Sequence, residues 1–146
     1  MIFQRETLFD IIEEVGPLLE SHYQECGNPR VKLNPRWDQY AALERMGMYA
    51  VFTVRSELEL AGYCAFFLSH HMQHADMLSA SNDVIYMKPE HRRGMNAIRF
   101  IDFCEQELKA LGAQAITYHV KTHIDWRPIL HKRGYGDEEV AVVKLL

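Results

Sequence analysis

The residue types best suited to chemistry gather at one junction, Arg92-Arg93-Gly94-Met95-Asn96-Ala97. Two arginines there open a segment with a strong helical period. Cations at a helix N-terminus oppose the macrodipole, which favours anions at that end. The arrangement becomes favourable once an anion binds. First-turn backbone N–H groups, a flexible Gly94 and two guanidinium groups together would hold a phosphate or pyrophosphate. The plainer expectation is a solvated basic loop whose arginines pair with Glu90 or Asp102. No GxxxxGK[ST] or GxGxxG motif occurs, so neither a P-loop nor a dinucleotide fold is supported as the origin of such an anion site.

Other reactive side chains are less specific. His70 and His74 would share a helical face, but His71 stands where HExxH needs Glu and no distant third ligand is marked. No metal site is expected; these histidines read as a polar loop near a substrate mouth. The three cysteines, Cys26, Cys64 and Cys104, are odd in number, widely spaced and free of any CxxC pattern. That usage fits a reducing cytoplasm without a disulfide framework. Cys64 and Cys104 fall on apolar faces and read as buried small hydrophobes. Cys26 reads as more exposed, with nothing marking it as a nucleophile.

The elements that must position these groups change period along the chain. From Thr7 to Cys26, Phe9, Ile12, Val15, Leu19 and Tyr23 recur at helical steps. Gly16-Pro17 is expected to kink this helix and Gly27-Asn28-Pro29 to end it. Asn34-Pro35 reads as an N-cap and first helical position, leading a second helix with Tyr40, Leu43 and Met46 on its stripe and Gly47 as its stop. Met48–Arg55 and Leu60–Leu68 are β-rich runs around a polar turn, the pattern of an antiparallel hairpin. His70–Asn82 is expected to be mainly loop and Asp83–Met87 a short strand. A helix over Ala97–Leu111 buries Ile98, Ile101, Cys104, Leu108 and Leu111, with Gly112 at its end. A strand over Ala115–Val120, a short helix from Asp125 to about Arg133 and a final strand over Val140–Leu145 complete a β-α-β-α-β second half. Its strand–helix–strand length suits a parallel crossover.

Size and composition bound these readings. The chain of 146 residues is read as a single domain spanning 1–146, with 48% hydrophobic and 25% charged residues, the usage of a soluble globular protein. Its net charge of −4 argues against a general nucleic-acid binder. Met1–Glu6 lacks the basic and apolar regions of a signal peptide. No apolar stretch approaches a membrane span.

Pro89-Glu90-His91-Arg92-Arg93-Gly94-Met95-Asn96-Ala97, after a strand and opening a helix, resembles the acetyl-CoA pyrophosphate loop of the GNAT superfamily of N-acetyltransferases. The family pattern is Arg/Gln-x-x-Gly-x-Gly/Ala. Arg92 takes its first position and Ala97 its last, while Met95 stands at the middle Gly. Ile129-Leu130-His131-Lys132-Arg133-Gly134-Tyr135 is similar to the family's closing helix, which ends Lys-x-Gly-Phe/Tyr. The likeness covers about Asp83 to Leu146, and small bacteriophage-encoded members look closest.

The resemblance implies a mixed α+β fold. A central sheet has antiparallel hairpin strands first and a splayed parallel pair later, flanked by about four helices. It implies acetyl-CoA as co-substrate. Tyr86, Met87 and Lys88 would lie along the pantetheine arm, and Arg92, Arg93, Gly94, Met95, Asn96 and Ala97 would hold the pyrophosphate. Asp125 is grouped with the cofactor-binding residues. The implied reaction is direct attack of a primary amine on the thioester, with a backbone N–H stabilising the oxyanion. Leu130 stands where the family often has a Tyr acid, and His123 where it often has an Asn. Asp83, His119 and His123 are therefore the catalytic candidates, with Tyr118 and His119 on opposite faces of one strand. Tyr23, Trp37 and Tyr40 are candidates for the amine pocket, though core packing explains them as well. Trp126 would flank the cofactor or simply pack. The rival expectation is a non-catalytic acyl-CoA-binding or protein-interaction module on the same fold. The final strand would offer an edge for a homodimer.

Overall fold

The computed structural model describes residues Met1–Leu146. Its centre is built where β-branched and aromatic residues are densest. Strand β1 (Ile2–Glu6) leads into helix α1 (Leu8–Cys26) and helix α2 (Trp37–Arg45). Strands β2 (Tyr49–Ser56), β3 (Glu59–His71) and β4 (His74–Met87) follow as consecutive antiparallel neighbours. A 3-10 turn (Pro89–His91), helix α3 (Asn96–Ala110), strand β5 (Ala115–Thr117) and helix α4 (Arg127–His131) complete the chain. The sheet order is β1-β2-β3-β4-β5, antiparallel except for the parallel β4–β5 pair.

Each face of the sheet carries its own core. Phe100, Cys104 and Leu108 of α3 pack on Ala50, Phe52, Phe66 and Ala80 on one side. Leu8, Ile11, Val15 and Leu18 of α1 pack on Tyr49, Val51, Tyr63 and Ala65 on the other, with Trp37, Tyr40 and Leu43 of α2 beside them. The three-layer arrangement follows from period-two alternation in β2 and β3, whose successive side chains serve opposite cores. Arg55 ties β2 to β1 and α1 by reaching both Glu6 and Glu14.

The expected β2–β3 hairpin and the α3 helix form, and Cys64 and Cys104 are buried; the buried face of α3 is Phe100, Ile101, Cys104 and Leu108, with Ile98 and Leu111 only partly buried. Several expectations need correction. The α1 helix runs unbroken through Pro17, whose exposed position lets the Glu13 carbonyl it leaves unbonded face water. Its buried stripe is Leu8, Ile11, Val15 and Leu18, while Phe9 is 84% exposed. The N-cap Thr7, accepting from the Asp10 N–H, sets that phase. The α2 helix starts at Trp37 behind Arg36, which makes no side-chain cap bond, so Asn34 does not cap it, and Met46 is exposed. The N-terminal strand β1 is an element that the local pattern does not announce. His70–Asn82 is strand on either side of a tight turn at Met72–Gln73 and not mainly loop, because β3 and β4 pair their backbones there whatever the polarity of the side chains. β5 ends at Thr117 and α4 spans only Arg127–His131.

The expected final strand over Val140–Leu145 does not form. Val140, Val142 and Val143 are 89%, 92% and 85% exposed. The reason lies in β5: after Thr117 the chain leaves the sheet and turns Tyr118 into the core, where it meets Phe66, Trp126 and Tyr135. Only the short edge of Ala115–Thr117 is left as a template.

Candidate active site

One extra residue in β4 creates the opening. Ala65 pairs with Val84 and Phe66 with Asn82, so Asp83 is the unmatched residue of a β-bulge. Buried Asn82 pins it, its Nδ2 donating to the carbonyls of Ala65 at 3.1 Å and Val84 at 2.9 Å. Side chains change sides across the bulge: Leu78 and Ala80 face the α3 core, and so do Ile85 and Met87, whereas Val84 and Tyr86 face the α1 core. The parallel pairing to β5 ends just before, at Ser81 with Thr117. Beyond Ser81, the edge of β4 has no strand beside it.

A cleft of about 350 Å³ follows that free edge, bounded by Asn82–Met87, Arg92, Ala97, Phe100, His119 and Trp126. At its far end α3 begins. No side chain caps α3, and no acidic residue stands in its first turn, so its first N–H groups are available to an anion. Gly94 has φ 66° and makes the turn that aims the chain into the helix. Arg92 lies against the same cleft. Its Nε donates to the Met87 carbonyl, and its two terminal nitrogens donate to Glu25 of α1. Its guanidinium carbon lies 5.2 Å from the centroid of the Tyr86 ring.

A second cavity of about 480 Å³ opens on the α1–α2 side. Tyr23, Trp37, Tyr40, Tyr49 and Tyr63 wall it with Val15, Leu19, Val31 and Leu33. The Tyr23 hydroxyl donates to the Asn28 carbonyl and so ties α1 to the loop that follows it. The Tyr49 hydroxyl donates to Asp83 Oδ2 at 2.9 Å. Burial first, then the Asp83 carboxylate, pushes Tyr40 up to about 12 and raises Tyr49 further. Both phenols therefore remain protonated donors at neutral pH.

The two cavities meet. His22, Cys26, Asp83, Val84 and Lys121 line both. His22 Nδ1 lies 2.9 Å from the Tyr63 hydroxyl, and its ring stacks on Tyr86 at 4.9 Å. Burial holds His22 down at about 4, so it is neutral at pH 7. Burial also raises the Cys26 thiol, whose Sγ donates to the His22 carbonyl. That is an unreactive setting for a cysteine.

Asp83, one of the three catalytic candidates, is at the junction. His119 lines the cleft and bonds Ser81 Oγ through Nε2 at 2.9 Å, while Tyr118 points into the core. His123 is exposed and lines neither cavity. Tyr86, Met87, Arg92 and Ala97 line the cleft. Arg93, Gly94 and Met95 are exposed around the start of α3, and Asn96 donates to the His91 carbonyl. Lys88 points away toward Glu59, and exposed Asp125 is engaged with Arg127. Neither lines the cleft. Tyr23, Trp37 and Tyr40 all line the second cavity. Trp126 lines the cleft and also packs edge-on against Tyr118. His70, His71 and His74 lie at the β3–β4 turn, away from both cavities. Leu130 is buried, and Ile129 is the α4 residue at the cleft wall.

Sequence reading misses His22, Glu25, Tyr63 and Lys121. His22 carries a signal: it continues the Leu8–Ile11–Val15–Leu18 stripe at helical steps, and a polar residue on a buried stripe needs a partner. The partner is Tyr63.

No protein-family model matches the sequence, and no curated protein matches it. Solved structures do match. The ribosomal-protein-alanine N-acetyltransferase of Brucella melitensis biovar Abortus 2308 superposes with a TM-score of 0.72 at 17% identity, over 99% of this chain and 100% of that one. An aminoglycoside acetyltransferase from an uncultured soil metagenomic sample, in complex with sisomicin, gives 0.73 at 14% identity, over 99% and 93%. A predicted acetyltransferase with acetyl-CoA from Clostridium acetobutylicum gives 0.73 at 12% identity, over 99% and 95%. The chain has the GNAT acetyltransferase fold. Within the GNAT fold, the bulge at Asp83 and the free edge of β4 are the features that create the cleft here. Nothing in these comparisons points to a bacteriophage.

Proposed function

We propose that the protein is an N-acetyltransferase that uses acetyl-CoA and passes the acetyl group directly to a primary amine while both are bound. One observation carries this reading: a cleft ending at an uncapped helix N-terminus and a separate aromatic cavity meet at a single carboxylate, Asp83. A ternary complex needs two such chambers with a shared wall.

The residues present suit acetyl-CoA. The first turn of α3, Arg92 and Arg93 would take the pyrophosphate. The unpaired edge of β4 around Tyr86 and Met87 offers backbone groups to a pantetheine arm. Acetyl-CoA supplies an activated acetyl group on a good leaving thiol. Asp83 holds the amine at the junction, and Tyr49 holds Asp83. His119, oriented by Ser81, would hand a proton to the leaving side. Bound as an ammonium, the amine gives one proton to solvent before it attacks; an N–C bond then forms, the C–S bond breaks, and the second N–H proton replaces the one that His119 gives to the leaving thiolate. We place the protein in the cytoplasm, in keeping with its free thiols. We also propose a homodimer in which exposed Val140–Leu146 of one copy meets the outer edge of β5 in another.

A second reading is favoured by Leu130: no hydroxyl stands at the position the fold often uses for an acid, so the same site would bind acyl-CoA without turnover. Thermal unfolding with acetyl-CoA, CoA, ATP and NAD tests both. Selective stabilisation by the two CoA species, then thiol release with an amine, supports the enzyme. Stabilisation without thiol release for any amine supports the binding module. No selective shift removes both.

A further inference from the structure

We infer that the acceptor is a monoamine with an aromatic or branched apolar body, its single ammonium group taken by Asp83. This rests on the proposed amine-acetylating reading and names the substrate class of its second cavity. Asp83 is the only acidic side chain lining that cavity; the cations Lys32 and Lys121 line it too. A polycation entering would find one counter-charge and two like charges. Its remaining ammonium groups would be desolvated without a counter-charge, which a largely apolar site penalises. An apolar body meets the opposite situation. Trp37, Tyr40 and Tyr49 form a contiguous aromatic wall, with neighbouring centroids 6.2 and 5.0 Å apart. Tyr49 both ends that wall and holds Asp83 through its hydroxyl. An ammonium at Asp83 therefore stands at the hydroxyl end of that wall, leaving the ring surfaces to the ligand's apolar body.

The test titrates 2-phenylethylamine, spermidine and sisomicin into the protein, with and without CoA, by calorimetry. The expected result is that 2-phenylethylamine binds about tenfold or more tightly than either polycation. Asp83→Asn should weaken it about tenfold or more, the loss of one charge-assisted contact. Tyr40→Leu, away from the bulge, should weaken it as well and serves if Asp83→Asn does not fold. Equal or tighter binding of spermidine or sisomicin overturns the inference, as does unchanged affinity in both variants or no binding of 2-phenylethylamine. Acetyl-CoA is titrated separately. If it fails to bind while 2-phenylethylamine binds in an Asp83-dependent way, the acetyltransferase reading falls and the amine box stands. If spermidine is acetylated in preference to 2-phenylethylamine, the acetyltransferase reading stands and the monoamine inference falls.

Discussion

Arg92 and Glu25 form a two-pronged ion pair, both N–H···O contacts 2.7 Å long, across the mouth of the cleft that leads to α3. The carboxylate sits where the guanidinium would otherwise be free for an anionic ligand. Each partner is more than a third exposed, so the pair is worth about 0–1 kcal/mol. Glu25→Ala should therefore tighten acetyl-CoA binding, by up to about fivefold. Calorimetry checks this; weaker binding in the variant would mean that Glu25 positions Arg92 instead of competing for it.

Arg92 and Arg93 should carry the anion. The double variant Arg92→Ala/Arg93→Ala is expected to lose about 1.5–3 kcal/mol of CoA affinity. The wild-type affinity should also fall with added salt more steeply than the variant's. An unchanged dissociation constant would remove the pyrophosphate site from this end of α3.

Asn82 should matter for folding. Its amide satisfies two carbonyls inside the sheet, and Asn82→Ala leaves both without that donor. A loss of about 1–3 kcal/mol in denaturant-induced unfolding is expected, with an unchanged m-value. A neutral result would show that the bulge holds itself.

The pH dependence follows from His22. Its folded value of about 4 lies below the ordinary 6.5, chiefly because it is buried. Between those values the unfolded chain binds more protons, so stability rises with pH across the window. The contribution is fully present above pH 6.5 and is lost as pH falls toward 4. It amounts to about 3 kcal/mol at most. His22→Gln should flatten this slope in unfolding measurements made through the window. An identical slope would assign the acid sensitivity to the carboxylates.

The exposed tail predicts self-association. Val142→Asp/Val143→Asp should shift the protein toward monomer in sedimentation velocity, without altering its melting temperature at low concentration. A wild-type chain that stays monomeric at high concentration would remove the proposed dimer.

Much of this architecture is legible where local pattern and tertiary environment agree. The α3 stripe, Gly112 and the β2–β3 turn announce themselves because period and breaker residues coincide. The proposed anion site is readable from Arg92 and the helix start, and the aromatic wall from Trp37 and Tyr40. Other features are set by partners. His70–Asn82 becomes strand because β3 supplies a ladder, whatever the polarity of its side chains. Val140–Leu145 has strand propensity without a partner, because β5 stops at Thr117. Glu25 and Arg92 lie far apart in sequence, and no spacing rule joins them. The bulge depends on a register between β3 and β4 that neither strand declares alone.

Asp83 is, in the literal sense, a surplus residue. Val84 and Asp83 both line the aromatic cavity, while Ile85 and Met87 return to the α3 core. Excising Asp83 would restore strict alternation from Asn82 to Val84 without moving any later side chain to the wrong face. The strand would be regular, and the carboxylate shared by the two cavities would be gone. A plain strand and one that sets a carboxylate between two cavities thus differ, in this chain, by a single codon.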